Sequence, residues 1–238
     1  MKNQTRREFL INGSILSIAA ISSTSTGSER LLSQPIEADK IQFPESDCSK
    51  NIDDNYKILI AYASEFESTA EVAIAISKVF CARGHFVETK WIKNIHSIQK
   101  YDAVILGSAI QYDKWMPEAE KFVQLNQKKL REIPVAYFFT CLTLSEKSKK
   151  TEKTASKYAE KLMAIDPLVN PLSIGQFAGV LDYDKMSLFK KLMFKTISLV
   201  TGVQEGDYRN WNIIDGWANN VHFRFSKKMK NKSDVNKV

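Results

Sequence analysis

Two kinds of apolar run alternate along the middle of the chain. Tyr56–Ala63 reads Tyr-Lys-Ile-Leu-Ile-Ala-Tyr-Ala: short, apolar and rich in strand formers, it predicts a buried strand. From Ser68 to Arg83 the apolar positions Val72, Ile76, Val79 and Phe80 recur at helical spacing, with Ala73 and Ala75 filling between. Gly84 follows where helices commonly end in the left-handed conformation. The alternation continues. Strands are predicted over 86–92, 101–110, 135–142 and 172–181, and helices over 117–129 and 151–165, the first with Pro117 in its opening turn. A closing helix carries the stripe Trp211, Ile214, Ala218, Val221 and Phe225.

Strand, helix, strand, repeated, implies an α/β fold: a doubly wound parallel sheet with helices on both faces. Five strands fit the order 2-1-3-4-5. Sheets of this kind bind ligands beyond the carboxyl ends of their strands, which directs attention to the residues after Ala63, Gly107 and Phe139.

The first of these loops is Ser64-Glu65-Phe66-Glu67-Ser68-Thr69. A helix start offers unpaired N–H groups and partial positive charge to a phosphate, and three hydroxyls stand ready to add hydrogen bonds. Ser68 with Glu71 makes a capping-box pattern, so a plain capped turn is the competing reading. The glycine spacing of a dinucleotide fingerprint and the Gly-Lys-Ser/Thr of a P-loop are both missing, which disfavours those ligands and leaves a flavin mononucleotide phosphate as the better fit. The second loop, Gly107-Ser108-Ala109-Ile110-Gln111-Tyr112, has small residues that would let backbone approach a flat ring, with Tyr112 and Trp115 as either stacking or packing aromatics. The third is Thr140-Cys141-Leu142-Thr143.

The ends of the chain follow another logic. Thr5-Arg6-Arg7-Glu8-Phe9-Leu10, an apolar stretch from Ile11 to Ile21 and a Ser/Thr run to Ser28 form an export-signal layout, and the paired arginines before Phe-Leu resemble the twin-arginine motif. Residues 1–28 are thus expected to be a signal, 29–55 a linker and 56–226 the folded domain. The protein is expected outside the cytoplasm, on the outer face of the inner membrane. Within the domain, residues 182–209 hold a basic amphipathic helix, Met186–Val200, in which no acidic residue occurs. It suits either a membrane or quinone contact, or packing with solvated lysines. Residues 227–238 read as a disordered basic tail. Net charge is +7, which suits acidic or phosphate ligands or plain solubility; no nucleic-acid partner is predicted. Cys48, Cys81 and Cys141 form no C-x-x-C pair and no metal-like cluster with His85, His96 or His222, so neither a disulfide framework nor a metal site is expected.

Four segments together resemble one family. Tyr62–Ala73 is similar to the opening loop of flavodoxin-domain proteins, and Asp102–Tyr112 to their second loop. Gly179-Val-Leu-Asp-Tyr183 and Glu205-Gly-Asp-Tyr-Arg-Asn-Trp211 resemble the carboxyl half of the branch that includes the menaquinone-dependent protoporphyrinogen oxidases. The resemblance implies a flavodoxin-like fold and an FMN held by Ser64 to Thr69, Ser108 to Gln111 and Thr140 to Thr143. It also implies electron passage between a substrate and a quinone or other redox partner; a flavodoxin-like FMN electron carrier without its own substrate, or a cofactor-less binding module, stays open beside it. No residue declares itself as catalytic acid or base; Tyr112, Asp182 and Tyr183 are candidates only by position. Glu67 departs from the pattern, standing where the family often has a glycine that accepts positive φ.

Overall fold

The computed structural model describes residues 43–48 and 56–235. The expected signal at 1–28 and most of the expected linker lie outside the described residues.

Strands β1 (Ser46–Cys48), β2 (Lys57–Ala63), β3 (Phe86–Trp91), β4 (Ala103–Gln111), β5 (Lys114–Trp115), β6 (Val135–Cys141) and β7 (Ile174–Ala178) form one sheet. Its order is β1-β3-β2-β4-β6-β7, with β5 paired to β4. The run β3-β2-β4-β6-β7 is parallel throughout and is the predicted 2-1-3-4-5. The sheet is wider than the five strands expected, because β1 adds antiparallel to β3 and β5 folds back on β4.

Alternate residues of the strands feed two cores, which is why the strands read as continuous apolar runs. Ile58, Ile60, Ile105 and Phe138 point to one face, covered by α1 (Ser68–Ala82) and α6 (Trp211–Val235). Leu59, Val104, Leu106 and Phe139 point to the other, covered by α2 (Pro117–Leu125) and α4 (Lys149–Met163). The predicted helix over 117–129 is broken at Asn126, and α3 (Gln127–Glu132) follows. Gly107 belongs to the first core: a Cβ there would lie 2.0 Å from the Phe138 ring. Its missing side chain therefore serves packing within the sheet.

Three expectations are corrected here. Within the expected linker, residues 43–48 belong to the folded body: β1 pairs with β3, the Phe43 ring stacks on Trp91 at 4.2 Å, and the Tyr62 hydroxyl donates to the Pro44 carbonyl at 2.8 Å. These contacts cover a sheet edge that would otherwise expose unpaired backbone. Cys48 and Cys81 form a disulfide between β1 and the end of α1, their Cα atoms 6.0 Å apart. The tail is helical to Val235, because Met229 extends the stripe of Val221 and Phe225 and is buried beside them.

Strands β8 (Val180–Leu181) and β9 (Gly206–Asp207) pair antiparallel and close the base of the insertion. Residues Ser187–Val203 separate from the α/β body as part of a second unit. They form α5 (Leu188–Thr201), capped by the Ser187 hydroxyl and ended by Gly202 at φ 78°. Leu188, Phe189, Leu192 and Leu199 on this helix are exposed.

Candidate functional site

The parallel strands deliver the three predicted loops to one edge of the sheet, and side chains tie the loops to each other in pairs. The Glu65 carboxylate accepts from the Gln111 amide, joining the first loop to the second. Thr69 Oγ1 and Thr140 Oγ1 are 2.8 Å apart and buried, joining the first to the third. A third tie runs through α4: the Tyr158 hydroxyl lies 3.2 Å from Thr143 Oγ1 and donates to Asp113 Oδ1 at 2.5 Å. Glu65, Gln111, Thr69, Thr140 and Thr143 are all predicted site residues.

The first loop meets α1 through Glu67, which stands at the N-cap with φ 64° and makes no side-chain capping bond. The capping box expected from Ser68 and Glu71 does not form. Ser68 is already the first helical residue, and Glu71 pairs instead with Arg209. The start of α1 thus has no side-chain cap, and such an end accepts an anion. Glu67 adopts the left-handed conformation that glycine would take without cost, and its carboxylate is held by Lys185 Nζ at 2.7 Å. That bond, then the surrounding carboxylates of Glu67, Glu71 and Asp182, raises the Lys185 pKa above the ordinary lysine value. The like charge that Glu67 brings to a phosphate loop is therefore paired with a cation on the same body. Ser64 is buried at the end of β2, and Phe66 is half-buried.

Arg209 went unnoticed as a single residue in the sequence, although it lies in a segment that carries the resemblance. Its side chain is almost wholly buried. It grips the Asp207 carboxylate at 2.9 and 2.7 Å, reaches Glu71, and donates to the Ser68 carbonyl at 3.1 Å. It ties the far end of the insertion to the first turn of α1. Beside it, Phe66, Ser68, Lys185 and Met186 line a cleft of about 150 Å³. That is below the ~300–1,000 Å³ of a typical ligand pocket, so it is a recess beside the phosphate loop.

In the second loop Ser108 is buried and its hydroxyl accepts from the Met116 N–H at 3.0 Å, while donating to the Ala109 carbonyl at 2.8 Å. Ala109, Ile110 and Gln111 are the half-buried end of β4. Tyr112 and Asp113 form the two-residue turn to β5, with φ of 49° and 59°. Tyr112 is 66% exposed, whereas Trp115 is buried edge-on to Tyr137 and Phe139. Of the two candidate stacking aromatics only Tyr112 is available; Trp115 is core. In the third loop Cys141 is buried, and burial pushes its thiol up to about 11, so it is no nucleophile at neutral pH. Leu142 and Thr143 lie in a short 3₁₀ turn. Tyr183 is buried and its N–H donates to Glu205 at 2.7 Å, while Asp182 turns back to cap Asp184 N–H at 2.9 Å. Among the described residues no group of three or more His, Cys, Asp or Glu is placed to hold a metal.

Comparison with known proteins agrees with this architecture. The chain is 25% identical over 172 residues to the protoporphyrinogen IX dehydrogenase [quinone] of Escherichia coli strain K12, covering 70% of this chain and 92% of that protein. It is 27% identical over 130 residues to the enzyme of the same name from Leishmania major, covering 52% of this chain and spanning about half, 55%, of that relative. Among solved structures, an archaeal flavodoxin aligns with 70% of this chain and 99% of its own at 16% identity and a TM-score of 0.41. Residues 59–206 match the family described as Flavodoxin domain, and the chain belongs to that family, whose fold implies a flavin cofactor.

Proposed function

We propose that the protein is an FMN-binding oxidoreductase of the protoporphyrinogen-oxidase-like branch, passing electrons between a substrate and a quinone or another acceptor. One observation carries the reading most: three loops at the carboxyl edge of a parallel sheet, tied to one another by the residues that flavin binding would use. The uncapped start of α1, the left-handed Glu67 and the Ser68 hydroxyl suit the phosphate, while Ser64 and Thr69 are buried beside them. The strand ends at Ser108–Gln111 and Thr140–Thr143 suit the ring. Bound FMN would supply the electron transfer; the protein would supply binding, orientation and electrostatics. The likeness to the Escherichia coli dehydrogenase over 92% of its length supports the branch.

The exposed apolar residues of α5, together with Lys190, Lys191 and Lys195, support a peripheral contact with an anionic membrane, where a quinone would be met. Export is supported by the twin-arginine-like start and by the Cys48–Cys81 disulfide, since such bonds persist in oxidising compartments.

The decisive experiment is anaerobic. The purified protein is loaded with FMN, mixed with protoporphyrinogen, and the flavin absorbance is followed before and after a menaquinone analogue is added. Bleaching followed by recovery is expected. FMN that binds but is not reduced would discard this substrate and favour a flavodoxin-like carrier. A protein that takes up no FMN would discard the flavin reading itself. Fractionation of a tagged chain against an Arg6→Lys, Arg7→Lys variant tests location; retention of both in the cytoplasm would refute export.

A further inference from the structure

Among the described residues, the three non-glycine residues with positive φ are Glu67, Tyr112 and Asp113, and all lie on the first two loops of the site. Aspartate tolerates that region; a tyrosine there is an outlier, and such conformations persist only where their surroundings hold them. The exposed Tyr112 ring has too little packing to do so. Its neighbour is held from another element. On α4, Tyr158 Oη donates to Asp113 Oδ1 at 2.5 Å, and Lys161 Nζ, three residues on, donates to the Asp113 carbonyl at 2.9 Å. A carboxylate only accepts, so the Tyr158 oxygen is left to accept from Thr143 Oγ1 at 3.2 Å in the third loop. Side chain and main chain of one turn residue are thus gripped by one helix. The grip is seated in the core, because the Tyr158 ring is buried edge-on to Phe139. Burial, then the Asp113 carboxylate, raises the Tyr158 pKa well above the ordinary tyrosine value, which keeps the hydroxyl a donor.

We propose that Asp113, Tyr158 and Lys161 are positioning residues that hold the β4–β5 turn in its left-handed form and so present Tyr112 to the bound flavin. The proposal rests on the FMN reading above. It assigns the turn's shape to side chains on α4, where a two-residue turn of this type ordinarily relies on asparagine or glycine.

The test uses the full chain and two readouts. Amide hydrogen exchange at residues 111–114 is measured without flavin, and FMN affinity and bound-flavin fluorescence are measured by titration. Tyr158→Phe, which keeps the ring in the core, is expected to speed exchange in the turn and weaken FMN binding by roughly 10-fold, the worth of one hydrogen bond to a charged group. Asp113→Ala should do the same or more, and should raise the emission of bound flavin as Tyr112 leaves it. Asp113→Gly suits positive φ unaided, so alone or combined with Tyr158→Phe it should stay within about 3-fold of the parent protein. If Asp113→Gly is as damaging as Asp113→Ala, the carboxylate does something other than hold the turn and the proposal is wrong. Unchanged exchange in Tyr158→Phe would overturn it as well. If the parent protein binds no FMN, the flavin reading fails, while exchange in the flavin-free protein still reports whether the grip exists.

Discussion

Helices Ser68–Ala82 and Leu188–Thr201 are nearly equal in length, 15 and 14 residues, and both are amphipathic. They spend their apolar residues in opposite ways. In α1, Val72, Ile76, Val79 and Phe80 are all buried against the sheet and α6. In α5, Leu188, Phe189, Leu192 and Leu199 are exposed. The apolar side chains of α1 are thus consumed by folding, and what it offers a ligand is its first turn, with backbone N–H groups and the Ser68 hydroxyl. In α5 the apolar side chains of Leu188, Phe189, Leu192 and Leu199 stay on the surface. The same helical periodicity reads as core in one segment and as exposed surface in the other, and only packing tells them apart.

The sharpest separation should come from truncating one ring in each helix. Phe80→Ala removes a fully buried ring packed among Phe225, His85 and His222, and should cost about 3–5 kcal/mol in urea unfolding. Phe189→Ala should change stability by no more than about 0.5 kcal/mol, because its ring is already exposed. With Leu192→Ala added, it should weaken sedimentation with anionic vesicles by on the order of 10-fold. A Phe189→Ala variant as unstable as Phe80→Ala would erase the contrast.

A smaller effect is expected at the far end of α1. The Cys48–Cys81 bridge joins residues 33 positions apart in sequence and pins β1 to the helix. Cys48→Ser should cost roughly 2–4 kcal/mol, measured under non-reducing conditions. Reductant should bring the parent protein down to the variant and leave the variant unmoved. Equal stability of parent and variant without reductant would mean that the bridge contributes nothing.

Most of this body was legible from period and turn signals. The unbroken apolar run Ile58–Ala63, the stripe in α1 and the repeat of strand and helix after them pointed to the parallel sheet and its strand order. The hydroxyls of the first loop, the end of β4 and Thr140–Thr143 led to the edge where the loops meet. What escaped was decided by contacts distant in sequence. Cys48 and Cys81 are separated by a strand and a helix, and no local pattern pairs them; a start that resembles an export signal, beside three cysteines, was the available hint. Ser68 and Glu71 have capping-box spacing, but Arg209 draws Glu71 away. Trp115 looked free to stack because its neighbours Tyr137 and Phe139 belong to another strand. The tail looked disordered because its lysines outnumber its apolar residues, yet Met229 docks it.

The smallest expected effect concerns how firmly α1 is docked at low pH. His85, just past its end, meets His222 of α6 with Nε2 atoms 3.1 Å apart. One nitrogen must donate and the other accept, so the pair cannot hold two full charges. Burial, then the neighbouring His222, lowers the pKa of His85; burial, then Arg83, lowers that of His222. Around them stand Phe80, Phe225, Tyr56 and Ser226, with Arg83 held by Asn219, and none of these offers a carboxylate. His85 Nδ1 is buried with no partner among the described residues, so a proton placed there would go unpaired. Because the folded values lie below the unfolded one, the pair's contribution is complete above the ordinary imidazole pKa. It is lost as pH falls below that value, where the unfolded chain binds more protons. Thermal melts from pH 7.5 to 5 should therefore show the parent protein losing stability through this site as pH falls below the ordinary imidazole value. His222→Gln, which keeps a hydrogen-bonding amide opposite His85 and removes one titrating group, should be slightly less stable at pH 7.5 and should lose less on acidification. The gap between the two proteins should narrow as pH falls; a gap that widens would show that protonation strengthens the contact.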